Sequence, residues 1–154
     1  MRAVYIDTEF TQLSADRCLI SLALVDSSGN EFYVELIDGW SEEACSDFVK
    51  AVVLPQLDLA RFGLTTAAAR AALRQFLEGL GSVEIVGDAL QWDWPLIIEL
   101  LGTPGMPDNV ESCREVPDPL SQLPPGSVPH HALLDARLLC SLCEEISTET
   151  PPCE

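Results

Sequence analysis

Positive charge is what this sequence has least of. Its 154 residues carry 8 Lys plus Arg against 25 Asp plus Glu, a formal net charge of −17. A protein that grips long nucleic acid by its phosphates presents a basic stripe, and none is visible. Either nucleic acid is not the ligand, or bound cations and a few Arg residues carry the electrostatics locally. Most of the acidic excess reads as a solvated, soluble surface, so the question is which carboxylates are exceptions. Long apolar runs are missing too: none approaches the roughly 20 residues that would span a bilayer. The opening Met1-Arg2-Ala3-Val4-Tyr5-Ile6-Asp7 reaches an acid too soon for a secretory signal. The expected location is the cytoplasm, with no membrane partner. The six cysteines (18, 45, 113, 140, 143 and 153) lack a disulfide framework. Cys140 and Cys143 form a C-x-x-C, but in a late Leu-rich helical stretch and with no second pair at zinc spacing. They read as reduced thiols on a helix. Internal repeats and linkers are absent as well. One domain over residues 1–147 is expected, followed by a short, disordered acidic tail at 148–154.

What is present is enough apolar residue, 47%, to build a core in a chain of this length. Arg2–Asp7 reads as a strand ending on an acid, and residues 8–17 as a loop. Leu19–Asp26 and Glu31–Leu36 read as two further strands about the turn Ser27-Ser28-Gly29-Asn30. Ser41 with Glu42 and Glu43 has the pattern of a helix start, opening a helix to about Val53 that Pro55 stops. Thr65 or Thr66 caps a second helix, rich in Ala, Leu and Arg, that runs to about Leu80. Ser82–Val86 is a short β-branched strand. Asp93–Leu101 is a helix with Pro95 in its first turn. Residues 102–129 are Pro- and Gly-rich, with one short strand near Val110–Val116, and a last helix runs from about His131 to Ile146. Antiparallel strands followed by strand–helix alternation give a mixed α/β pattern, with the end of the first strand at a crevice.

Three segments carry chemistry. In Tyr5-Ile6-Asp7-Thr8-Glu9-Phe10, two acids at i and i+2 project from the same side of a strand end. Held close together, they need cations to neutralise them, and hard oxygen ligands suit Mg²⁺ or Mn²⁺. Alone, the pair fits two surface acids equally well. In Pro129-His130-His131-Ala132-Leu133-Leu134-Asp135-Ala136-Arg137 stand the only two histidines of the chain. Asp135 would face back from the helix toward His130 on the preceding loop, where a neutral imidazole can take a proton from water. The bland alternative is a His pair capping a helix and an ordinary surface acid. In Gln91-Trp92-Asp93-Trp94-Pro95, an acid between two tryptophans is an improbable solvated charge. It also has the pattern of an N-cap, and both can hold at once.

Together these segments resemble the three motifs of the DEDDh (DnaQ-like) 3′→5′ exonucleases: D-T-E-F near the start, W-D-W-P-L-I in mid-chain and H-H-A-L-L-D-A-R late. The resemblance covers nearly the whole chain. It implies a ribonuclease-H-like mixed sheet flanked by helices. It further implies two divalent cations held by Asp7, Glu9, Asp93 and Asp135, with His130 as general base and no role carried onto His131. Within the superfamily the chain is similar to compact bacterial exoribonucleases of the RNase AS type, through D-T-E-F, Val53-Leu54-Pro55 and the tryptophan before Asp93. Oligoribonuclease is the next nearest, through Asp7-Thr8-Glu9-Phe10-Thr11-Gln12-Leu13. That likeness makes Leu13 the candidate wedge against terminal bases, with Phe10, Thr8 and Trp92 as further substrate contacts. A departure lies in the second motif, where many relatives carry Asn and Phe and this chain has Ala89-Leu90-Gln91-Trp92. The expected partners are 3′ ends of single-stranded RNA or DNA, and a homodimer is plausible because the relatives pair. The reading is a 3′→5′ exoribonuclease releasing nucleoside 5′-monophosphates. Its rivals are a DNA exonuclease, a non-catalytic scaffold of the same fold, and an acidic interaction protein.

Overall fold

Strand β1 (Arg2–Phe10) runs three residues past the expected end at Asp7, so both acids of the D-x-E pair lie on the strand itself. The cause is its antiparallel partner β2 (Leu19–Val25), which pairs with it through Asp7↔Ala23 and Glu9↔Ser21 up to a bulge between Glu9 and Phe10. Ladder pairing satisfies backbone groups whatever the side chains are. The computed structural model describes residues 1–148 of the chain. The acidic tail expected beyond the last helix therefore lies, from residue 149 on, outside the described residues.

Between β2 and β3 (Glu31–Leu36), Asp26 accepts the N–H groups of Ser28 and Asn30, each at 2.9 Å, and Gly29 takes φ +89°. Asp and Gly make this the expected turn. The helix expected from Ser41 to Val53 does not form as one piece. Glu42–Ala44 and Leu54–Gln56 are single 3₁₀ turns, and Val49–Val53 is a wider π-type turn. The Ser41 side chain makes no capping bond, and Cys45 is extended (φ −75°, ψ 142°), which breaks the ladder. Pro55 stands in the first residues of the last turn, where a missing N–H costs nothing. The unassigned stretch that follows holds a short helix α1 (Leu59–Phe62) and a two-residue strand β4 (Gly63–Leu64).

Helix α2 (Thr66–Glu78) is capped by the Thr65 side chain, which accepts from the Ala68 N–H, and it buries Ala69, Leu73 and Leu77 as one stripe. Strand β5 (Val83–Gly87) leads into helix α3 (Leu90–Leu101), strand β6 (Val110–Glu115) and helix α4 (Ala132–Thr148). Helix α3 starts three residues earlier than its proline suggested. The Ala89 carbonyl accepts from Trp92 and Asp93, and Glu115 Oε1 accepts the Leu90 N–H at 3.1 Å, so a neighbouring strand supplies the missing cap. Asp93 is thus inside the first turn rather than an N-cap.

The six strands lie in the order β4-β3-β2-β1-β5-β6. Strands β1, β2 and β3 pair antiparallel, whereas β5 joins β1, and β6 joins β5, in parallel. Every residue of the central strand β2 is buried. Helices α2 and α3 pack Leu73, Leu77, Ile97 and Leu101 on Val4, Ile6, Leu22 and Leu24. On the opposite face α4 lays Ala132, Ala136 and Leu139 on Tyr5, Ala23, Val25 and Val86. Each fully buried large aliphatic side chain contributes about 1.5–3 kcal/mol, so the end of β1 is gripped from both faces. Cys140 and Cys143 lie on α4 as thiols, as expected. No helix among the described residues is long and apolar enough to cross a membrane.

Candidate metal centre and substrate cleft

Alternation along β1 sends Asp7 and Glu9 to the α4 side of the sheet and Thr8 to the α3 side. The first turn of α4 brings Asp135, 4% exposed, up to the first pair. The first turn of α3 brings Asp93, 2% exposed, to the other side. There the Thr8 hydroxyl donates to Asp93 Oδ1 at 2.6 Å. A further acid, Asp88, follows β5 directly, two residues beyond the pair Tyr5↔Val86 in the parallel ladder with β1. Asp7 is likewise two residues beyond Tyr5, so the two strand ends deliver Asp7 and Asp88 together.

These acids form two groups that share Asp7. One carboxylate oxygen each from Asp7, Glu9 and Asp135 lie within 4.8 Å of one another, and so do those from Asp7, Asp88 and Asp93. Three oxygens, Asp7 Oδ2, Asp93 Oδ2 and Asp135 Oδ1, are buried with no hydrogen-bond partner. Orphaned buried acceptors are costly. Burial first, then the charges of Asp93 and Glu9, pushes the Asp7 carboxyl well above the usual range. Burial and the neighbouring Asp135 push Glu9 up to about 8. Burial likewise pushes Asp93 to about 7, against the pull of the Thr8 hydrogen bond. It pushes Asp135 to about 7, against hydrogen bonds from the His130 and His131 backbones. Asp88 is pushed to about 6 by burial and by Asp118. Clustered carboxyls with bare buried oxygens fit hard divalent cations such as Mg²⁺ or Mn²⁺, which would neutralise the charge and supply the missing partners.

The acids stand at the floor of a cavity of about 660 Å³. His130 lines it from the loop before α4, with φ 54°, a conformation that non-glycine residues rarely adopt. Its ring meets the ring of Phe48 edge-on at 5.0 Å and 89°. Among the proposed substrate contacts, Leu13 stands 76% exposed at the rim. Phe10 and Trp92 also line the cavity, stacked on each other at 5.9 Å. The Arg17 guanidinium lies 4.9 Å from the centre of the Trp92 ring. Thr8 borders the cavity too, but its hydroxyl proton is engaged by Asp93. Among the described residues, no Lys or Arg lines the cavity.

The sequence-predicted residues Asp7, Glu9, Asp93, His130 and Asp135 therefore all converge on this cavity. Asp88 and Phe48 were missed. A signal for Asp88 existed: Val83-Glu84-Ile85-Val86-Gly87-Asp88 repeats the pattern of an apolar strand ending on an acid that marked Asp7. Nothing comparable marks Phe48, which arrives through the irregular turns of residues 42–56.

No family model and no curated protein sequence matches the chain. Among solved structures it is similar to the Neurospora crassa Pan2 catalytic unit (protease and nuclease domain), with a TM-score of 0.51 at 16% identity. The match covers 96% of this chain and 27% of that one, so this chain is about a quarter of its length. At that identity the likeness speaks for architecture alone. The expected ribonuclease-H-like fold is the observed one.

Proposed function

We propose that the chain is a metal-dependent 3′→5′ exonuclease. Within that class we read it as an exoribonuclease, similar to the RNase AS type, that removes nucleoside 5′-monophosphates from single-stranded RNA or 3′ tails. One observation carries the reading: Asp7 is shared by two three-carboxylate groups, three of whose buried oxygens lack a partner, in the cavity that His130 lines. The nuclease domain named for its structural neighbour agrees with it.

Asp7, Glu9 and Asp135 would hold one cation, and Asp7 with Asp93 and Asp88 the other. Bound there, the cations supply charge neutralisation at the scissile phosphate and an acidified water. His130 accepts the proton of the attacking water at an imidazole nitrogen, a role worth roughly 10²–10⁴ in rate. Thr8 orients Asp93 by its hydrogen bond. Phe10, Trp92, Phe48 and the exposed Leu13 offer apolar surface to the terminal bases. With no basic side chain lining the cavity among the described residues, and Arg17 alone stacked on its Phe10 and Trp92 rings, affinity rests on stacking and on the cations, which favours short single strands over long RNA. The test is Mn²⁺-dependent digestion of matched RNA and DNA oligonucleotides by wild type and by Asp7→Ala. Mononucleotide release from RNA, lost in the variant, is expected. Preference for DNA would shift the reading to a repair or proofreading exonuclease, and equal activity of the two proteins would end it.

A further inference from the structure

A second polar cluster lies on the α4 face of the sheet, and apart from Glu9 the chemistry above does not use it. Glu9, Ser21 and Glu35 stand in one register row across β1, β2 and β3, and Tyr33 precedes Glu35 by one turn of the pleat on the same face. Glu35 is fully buried, yet no Lys or Arg pairs with it among the described residues. Its two oxygens are both occupied. Oε2 accepts the Tyr33 hydroxyl, and Oε1 accepts the backbone N–H of Asp58 at 2.7 Å. The Tyr33 oxygen also lies 3.2 Å from His131 Nε2. Tyr33 has a single proton, and Glu35 takes it. Nε2 must therefore be the protonated nitrogen of His131, donating to Tyr33. Burial lowers the pKa of His131 and raises that of Tyr33.

The same carboxylate thus ties two segments that flank His130. Through Tyr33 it fixes His131, the next residue in the chain. Through Asp58 it anchors the stretch that bears Gln56. The Gln56 amide donates to the Pro129 carbonyl at 2.8 Å and approaches that of His130 at 3.3 Å. A residue at φ 54° needs such bracing, because the left-handed conformation is unfavourable for an L side chain. We propose that Glu35, acting through Tyr33 and His131 on one side and Asp58 and Gln56 on the other, is the positioning residue that sets His130 over the cavity. None of these groups lines the cavity. Their effect is on the aim of the imidazole, and misaiming a catalytic group by about 1 Å costs up to about a hundredfold in rate.

The kinetic side of this inference rests on the exonuclease reading, and the spectroscopic side does not. Tyr33→Phe deletes the hydroxyl while keeping the ring against Phe62 and His131. Gln56→Ala removes the other brace from an exposed side chain whose loss cannot unfold the core. Long-range ¹H–¹⁵N spectra of the two imidazoles, recorded on the metal-free protein, should give His131 as a single Nε2–H tautomer in wild type. Tyr33→Phe should abolish that signature, and both variants should shift the His130 resonances. In Mn²⁺-saturated digestion of single-stranded RNA, kcat should fall about tenfold or more. KM and Mn²⁺ affinity should stay within about twofold, since no ligand or base contact changes. Unmoved His130 resonances in both variants, or an Nδ1–H tautomer of His131 in wild type, would overturn the proposal. An inactive wild type with the expected spectra would instead fail the nuclease reading and leave the brace standing.

Discussion

The two acidic groups that meet at Asp7 are built in different ways. Glu9 and Asp135 join it from regular elements, one on the same strand two residues on and the other in the first turn of α4. Asp88 and Asp93 join it from a strand-to-helix connection, where a loop residue and a helical one are brought together by β5 pairing and by Thr8. In the first group the strand period sets Glu9 beside Asp7, and the packing of α4 on the sheet brings in Asp135. The second depends on where a strand ends and where a helix begins, and a hydrogen bond from β1 must aim one of its members. Their electrostatics differ at the extremes, with Glu9 pushed up to about 8 and Asp88 to about 6, while Asp135 and Asp93 both stand at about 7.

Asp7→Asn tests what the groups share, and it should have the largest effect. Activity is expected to fall on the order of 10³-fold or more, with both cations lost in a Mn²⁺ titration. The metal-free variant should also melt higher than wild type at pH 8, because one of the clustered buried carboxyls can no longer ionise. Asp135→Asn and Asp88→Asn then separate the groups. Each should bind one Mn²⁺ fewer, the first losing roughly 10²–10³ in kcat and the second about tenfold. Equal losses in the two would mean that the groups do not differ in weight.

pH should sharpen the contrast more gently. Carboxyls whose folded pKa is raised bind protons more tightly when folded. Their contribution to stability is therefore present below the unfolded value near 4 and is lost as pH rises through about 7 to 8. The metal-free protein should melt about 5–10 °C lower at pH 9 than at pH 5, and saturating Mn²⁺ at pH 8 should reverse much of that loss. Protons compete with cations, so Mn²⁺ should bind more tightly at pH 8 than at pH 6. The gain should be larger in Asp88→Asn, which keeps the Glu9 group, than in Asp135→Asn. A flat melting temperature without metal would contradict the raised values.

The same division separates what was legible in the sequence from what was not. Asp7 and Glu9 are two apart on a strand, and Asp135 follows His130 just inside an amphipathic helix, so local spacing marks each pair, while the likeness to the exonuclease motifs is what links the two pairs. Asp93 was found by its tryptophan neighbours, yet its place in the fold was misread. The proline at 95 suggested a helix start that Glu115, remote in sequence, moves forward by capping Leu90. Asp88 needs the parallel register of β1 and β5, which no local pattern encodes. The irregular turns over residues 42–56 went unread for the same reason. Val49 and Val53 there pack beneath β2 on Ile20, so a tertiary contact overrides a helical pattern.

Thr8→Val gives the smallest effect and the finest cut between the groups. The valine keeps the shape of the side chain, fits β1, and removes only the donor to Asp93 Oδ1. Asp93 Oδ2 is already without a partner, so the variant leaves the carboxylate without its Thr8 side-chain donor and with only the Thr8 backbone to hold it. Two effects then oppose one another. The lost hydrogen bond to a buried acid costs about 1–3 kcal/mol. The bond also pulls the Asp93 pKa down, so without it the acid takes up a proton more readily and part of that cost is relieved at neutral pH. Net destabilisation should therefore be smaller at pH 6 than at pH 8, as read from denaturant midpoints of the metal-free protein. Mn²⁺ binding should weaken in the Asp88–Asp93 group alone, with kcat down about tenfold and the Glu9 group untouched. Loss of both cations in this variant would show that Thr8 supports β1 as a whole, and the two groups would then stand or fall together.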